Sequence, residues 1–150
     1  MEQTSPHKYK GYIMSMDNTT EIAALAAFLQ GTDPSYRSGA TQYIALFTAD
    51  PGETGDLTNE ANYTSYARVA LTKATAWTGA ANPFTNADLI QFPACTGSTA
   101  AVTHFAIVDT GPARATAINM MISGALSATL NVSSGIQPQF AIGALSVSAT

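Results

Sequence analysis

Enzymes working near neutral pH draw mostly on histidine, paired carboxylates or an activated thiol, and this 150-residue chain is sparing with all of them. Its two histidines, His7 and His104, lie far apart in the sequence. The acid nearest to His104 is Asp109. Five positions along one regular strand put that pair on opposite faces, roughly 16 Å apart, so they cannot form the base and acid of a triad without a bulge. No serine sits in a Gly-x-Ser-x-Gly elbow, and no phosphate loop or dinucleotide fingerprint occurs. His104 therefore reads as a packed histidine bonded to backbone or to a tyrosine. Asp88 and Asp109 are the acids to substitute if the chain were a glycan hydrolase, which needs two carboxyls across a cleft. Cys95 is the only cysteine, which excludes an internal disulfide and a thiolate zinc set. Between Ala94 and Thr96 it reads as a small buried side chain. Neither catalysis nor a cofactor is expected.

Asp50, Glu53, Asp56 and Glu60 bring four of the ten acids into eleven residues. Close carboxylates can cage calcium, but the spacing does not follow the alternate positions of an EF-hand loop. Pro51 and Gly52 are turn residues, so a solvated loop is the better reading and no metal site is expected. Arg68 has two readings. It is either an internal fork that bonds loop carbonyls or an acid such as Asp50 or Glu60, or an anchor at an interface.

Only 11% of residues are charged, against about 25% in an average soluble protein, while 46% are hydrophobic. The net charge is −4, and the only basic pairing is Lys8 with Lys10, so a nucleic-acid partner is not expected. The longest apolar run, 22–29, is too short to span a bilayer, and the N-terminus has no signal-peptide core. No membrane contact is expected, and the chain is expected to be made in the cytoplasm. The length suits one domain.

The elements that would carry any site are mainly strands. In 42–51, Tyr43, Ala45 and Phe47 alternate with Ile44 and Leu46, so both faces are apolar and the strand belongs inside a sheet. Further strands are expected at 66–73, 88–92, 101–109, 115–122, 124–132, 136–140 and 144–148. Pro138 restricts its strand to an edge or a bulge. Trp77 and Phe84 flank a turn and should each cover an end of the core. In 101–109, Val102, His104, Ala106 and Val108 should share one face, opposite Thr103, Phe105 and Ile107.

Ahead of the strands, 18–31 is the one clear helix, with Asn18 and Glu21 placed to cap it and Gly31 to stop it. Ile22, Leu25, Phe28 and Leu29 form a stripe that should be buried, on the chain's own sheet or on another subunit. Residues 1–15 read as an arm. It is either a disordered tail or an extended segment that orders against a neighbour through Tyr9, Tyr12 and Ile13. The expected architecture is an antiparallel two-sheet β-sandwich, jelly-roll-like, over 16–150, with a helix at 18–30 and the N-terminal arm at 1–15.

The run from Tyr43 through Leu46 and Phe47 to Asp50, Pro51 and Gly52, followed by Tyr66, Arg68, Val69 and Leu71, resembles a family of small tailed-bacteriophage structural proteins often labelled tail-fibre proteins. The resemblance continues through the helix, the strand around His104 and Phe105, and the close at Phe140 to Leu145, covering roughly residues 16–148. It implies a virion structural protein, and similar β-sandwich proteins serve as cement on phage heads. The leading expectation is a capsid cement or decoration protein on the capsid exterior, bridging the major capsid protein and copies of itself as a homodimer or homotrimer. Tyr9, Tyr12, Ile13, Ile22, Leu25, Phe28 and Arg68 are then the candidate interface residues. The alternative is a tail-fibre or host-adhesion module that binds a cell-surface glycan or protein, with Tyr63, Tyr66 and Trp77 as a possible sugar platform.

Overall fold

The computed structural model describes residues 15–34, 39–80, 83–114 and 118–148. The arm at 1–15, with Tyr9, Tyr12 and Ile13, lies outside them apart from its last residue.

The chain opens with β1 (Ser15–Met16) and α1 (Asn18–Gln30). The cap of α1 is Asp17 rather than Asn18: its carboxylate accepts the Thr20 amide at 2.7 Å, as an N-cap acid does, and Asn18 is already the first helical residue. Gly31 ends the helix in the left-handed conformation, φ 67°, where a side chain would be strained. The strands that follow are β2 (Thr41–Phe47), β3 (Val69–Thr72), β4 (Trp77–Thr78), β5 (Phe84–Asn86) and β6 (Ile90–Gln91). They continue with β7 (Ala100–Val108), β8 (Met120–Val132), β9 (Gln139–Phe140) and β10 (Ser146–Val147). The strands expected at 115–122 and 124–132 run together as one strand, β8, from Met120 on, while residues 115–117 lie outside the described residues.

A five-stranded sheet in the order β1-β8-β7-β2-β3 forms one layer, with every pairing antiparallel. Two smaller sheets, β10-β5-β4 and β6-β9, supply the residues that face it. The mainly β, sandwich-like fold expected from the sequence is therefore present, with a divided second layer. Ile44 and Leu46 of β2 meet Val102, Phe105 and Ile107 of β7, and Ile90, Phe92 and Leu145 close the core from the other side. On the back of the large sheet Ala45, Phe47, Ala106, Val108 and Met120 form a second cluster, covered by Leu57 and Ile118. Ile44, Ala45, Leu46 and Phe47 have no exposed surface, as the two apolar faces of that strand require. Complete burial of each large side chain contributes about 1.5–3 kcal/mol.

Between β7 and β8 the register slips. Val102 faces Leu130, yet His104 faces Ala125, so β8 spends three more residues than its partner over that step. The alternation of β7 breaks at the same point. Val102 joins Phe105 and Ile107 in the main core instead of sharing the face of Ala106 and Val108. Phe84 also departs from expectation, being exposed at the start of β5, the middle strand of its small sheet, whereas Trp77 packs against the core. Pro138 is buried just ahead of β9, a strand paired on one side only, which is where a residue without an amide proton is tolerated. Asn86, wholly buried, donates to the carbonyls of Asp88 and Ala141 and accepts the Leu145 amide, tying β5 to the last turn of the chain.

Candidate functional site

Arg68 precedes β3 and points inward. Its Nε donates to Glu60 Oε1 at 2.7 Å and its Nη2 to Glu60 Oε2 at 2.9 Å, a two-pronged pairing in which neither side chain has any exposed surface. The third arm of the guanidinium, Nη1, donates to the Thr110 carbonyl at 2.6 Å. Tyr66 adds its hydroxyl, which donates to Glu60 Oε1 at 3.1 Å and accepts the Leu46 amide at 3.0 Å. Burial pushes the Tyr66 hydroxyl far above its usual pKa, with the Glu60 charge acting in the same direction. Arg114 Nε donates to the Glu60 carbonyl, and the Arg68 amide donates to the carbonyl of Pro112. One buried hub thus fastens β2, the loop before Ala61 and the turn after β7. Arg68 is the internal fork, and it has no surface to offer as an interface anchor. Glu60, read in the sequence as part of a solvated acidic loop, is its buried partner.

The rest of that loop is local turn chemistry. Asp50 Oδ1 accepts the Gly52 amide at 2.9 Å, and Asp56 Oδ1 accepts both the amide and the hydroxyl of Thr58. The Thr58 hydroxyl first, then its amide, holds the Asp56 carboxyl below the usual carboxylate range. Among the described residues no group of three His, Cys, Asp or Glu side chains comes together as a metal would need.

The would-be catalytic groups are engaged separately. His104 Nδ1 shares a 2.9 Å hydrogen bond with the Thr103 hydroxyl, rather than with backbone or a tyrosine as expected. Asp109 accepts the Asn119 amide at 2.8 Å and the Thr110 hydroxyl at 2.8 Å. Burial raises the Asp109 pKa, but the hydrogen bonds from Asn119 and Thr110 outweigh it and hold the carboxyl below its ordinary value. Cys95 is buried, its thiol donating to the Gly97 carbonyl at 3.0 Å, which agrees with its reading as a packed side chain.

Tyr63 and Tyr66 are interior residues rather than a sugar platform. Tyr63 is 2% exposed, meets Tyr66 edge-on at 5.3 Å, and bonds the Pro93 carbonyl. Burial pushes its hydroxyl up to about 12, with the neighbouring Cys95 acting the same way. Tyr66 in turn stacks on Phe92, and Phe140 links Phe92 to Phe105. Where β8 slips past β7, a cavity of about 300 Å³ opens beside Phe105, Phe140, Leu126 and Leu145, with Ser127 and Gln139 at its polar side.

The surface that stands out is α1. Ile22 is 68% exposed, Leu25 58%, Phe28 87% and Leu29 80%, so the stripe is not packed on the chain's own sheet. The alanines between them, Ala23, Ala24, Ala26 and Ala27, are the half-buried residues. The helix is held to the body at its first turn, where Thr20 is buried and bonds the Met120 carbonyl and the Asn18 amide reaches the Glu53 carbonyl. Of the sequence-derived interface residues, Ile22, Leu25 and Phe28 share this face, whereas Arg68 belongs to the interior. Leu29 joins them, and its place in the stripe was the signal for it. The β8 cavity had no sequence signal, because it arises from a register slip between two strands.

A family model described as Podophage GP4 fiber I protein gp80 matches residues 15–148, a span that takes in every strand and the helix. The chain belongs to this family. The family is one of phage structural proteins of tail-fibre type, and the chain is accordingly a bacteriophage virion structural protein. No curated protein matches it.

Proposed function

We propose that the protein is a building block of the podophage tail-fibre apparatus, acting by non-covalent contact and without turnover of a substrate. The observation that carries this reading is the match of residues 15–148 to a fibre-protein family. It favours the fibre reading over the capsid-cement reading, which rested on likeness to β-sandwich cement proteins of phage heads together with low charge, an N-terminal arm and no active site. The structure supports a contact role in two ways. His104, Asp109 and Cys95 are each occupied in packing or loop pinning, and the two most exposed large apolar side chains among the described residues, Phe28 and Leu29, lie with Ile22 and Leu25 on α1. The partners in this reading are other virion proteins and copies of the chain itself, with the adhesion target a host surface glycan or protein.

The deciding experiment is to image intact particles with an antibody fragment raised against the purified chain and to count copies per particle by quantitative mass spectrometry. Label at the tail with copies in the tens or fewer is expected. Label spread over the head with copies in the hundreds would return the protein to the cement class.

A further inference from the structure

The helix α1 is amphipathic the wrong way round for a helix that serves its own domain. A helix that completes a core turns its large apolar side chains inward, and α1 turns its alanines to the body and Ile22, Leu25, Phe28 and Leu29 to the outside. Their spacing is also particular. Ile22, Leu25 and Leu29 stand at i, i+3 and i+7, the seam along which one helix receives the side chains of another. Phe28 lies beside that seam and widens it.

Charge and area narrow the occupant. Glu21 is the only charged residue in Asn18–Gln30, so nothing on the helix selects a partner of opposite charge and nothing repels an identical helix. At the exposures observed, the four side chains offer roughly 500 Å² per copy, so two facing copies reach about 1,000 Å², the lower bound of a specific interface. A patch of that size is also at the top of what an ordinary monomer leaves open.

From this we infer that α1 packs against α1 of other copies of this chain, joining them through a short helical bundle. The seam spacing matches itself, the helix has one charge, and two copies that cover these side chains fully reach the area a specific interface needs. This does not depend on the location of the protein in the particle, so its failure and the failure of the fibre reading are told apart by different experiments.

The test is sedimentation equilibrium of the full chain at micromolar concentrations. Wild-type protein is expected at a whole multiple of 15.6 kDa. Leu25→Glu combined with Leu29→Glu is expected to weaken self-association by at least ~100-fold, because carboxylates would be desolvated at the seam. Thr19→Glu puts a carboxylate on the other flank of the helix and is expected to leave the oligomer unchanged. Near-ultraviolet circular dichroism of the double variant should match wild type, and its urea midpoint should match that of wild type diluted until it dissociates, which shows that the sandwich is intact. A wild-type monomer at every concentration would overturn the inference, as would an oligomer that survives the double variant. A monomeric wild type that begins to associate once residues 1–14 are deleted would also overturn it, assigning the face to the chain's own N-terminal segment.

Discussion

The Glu60–Arg68 hub and the outer face of α1 each put side chains where their chemistry is least at home. In the hub, charge is buried, and every arm of the guanidinium has a partner, two on Glu60 and one on the Thr110 carbonyl. On α1, hydrocarbon is exposed, with alanines turned inward in its place. The first misplacement is resolved within the molecule and the second is not. A buried ion pair with its partners in place specifies how loops meet a sheet. Exposed hydrocarbon on one helix face is stabilised only by something that covers it. The comparison separates scaffold from working surface without appeal to an active site.

Substitutions can break either half of this contrast. The largest effect on folding should come from Arg68→Met, which strands the Glu60 carboxylate in the core and should cost about 3–5 kcal/mol in urea unfolding. Adding Glu60→Leu should recover most of that loss, since the cost lies in the orphaned charge rather than in the missing attraction. Gly111→Ala ranks next. A β-carbon there would lie 2.6 Å from the Tyr43 ring, so ring or turn must shift, at about 1–3 kcal/mol. Tyr66→Phe removes the hydroxyl between Leu46 and Glu60 and should cost about 1–2 kcal/mol by the same assay.

A smaller effect concerns pH. The Asp109 carboxyl is held below its ordinary value of 3.8 in the folded chain, so its contribution is complete above that value and is lost as pH falls through the folded pKa. Asp109→Asn should flatten the acid limb of the stability profile by lowering stability at neutral pH, where the carboxylate's contribution is complete, and by leaving it nearly unchanged in acid, where that contribution is already lost. Smallest of all for folding is the α1 pair, Leu25→Glu with Leu29→Glu. Its unfolding free energy should stay within about 0.5 kcal/mol of that of wild type compared at a concentration where wild type is dissociated, although association is lost. If that double variant instead destabilised the sandwich as much as Arg68→Met does, the separation between scaffold and surface would be wrong.

Much of the scaffold was legible because it rests on local pattern. The double apolar alternation of Tyr43 to Phe47 places β2 in the sheet interior, and Gly31 marks the end of α1 through its backbone freedom. Features that depend on long-range register were not legible. Nothing in 101–109 announces that Val102 leaves the face of Ala106, because the cause is a slip against β8, a strand some twenty residues further on. Glu60 and Asp50 both stood as acids that Arg68 could bond, and only the fold chooses Glu60. The stripe on α1 was plain in the sequence, but periodicity records that a face is apolar and does not say what covers it. The single-residue error in the cap, Asp17 for Asn18, reflects two adjacent residue types that both cap well.

The account turns on α1 being a contact surface in the assembled particle, and thiol accessibility tests that directly. With Phe28→Cys as the only added thiol and Cys95 buried as an internal control, alkylation can be followed in intact particles and in the dissociated chain. The account predicts rapid modification of the dissociated chain and protection in the particle. Equal modification in both states would contradict it.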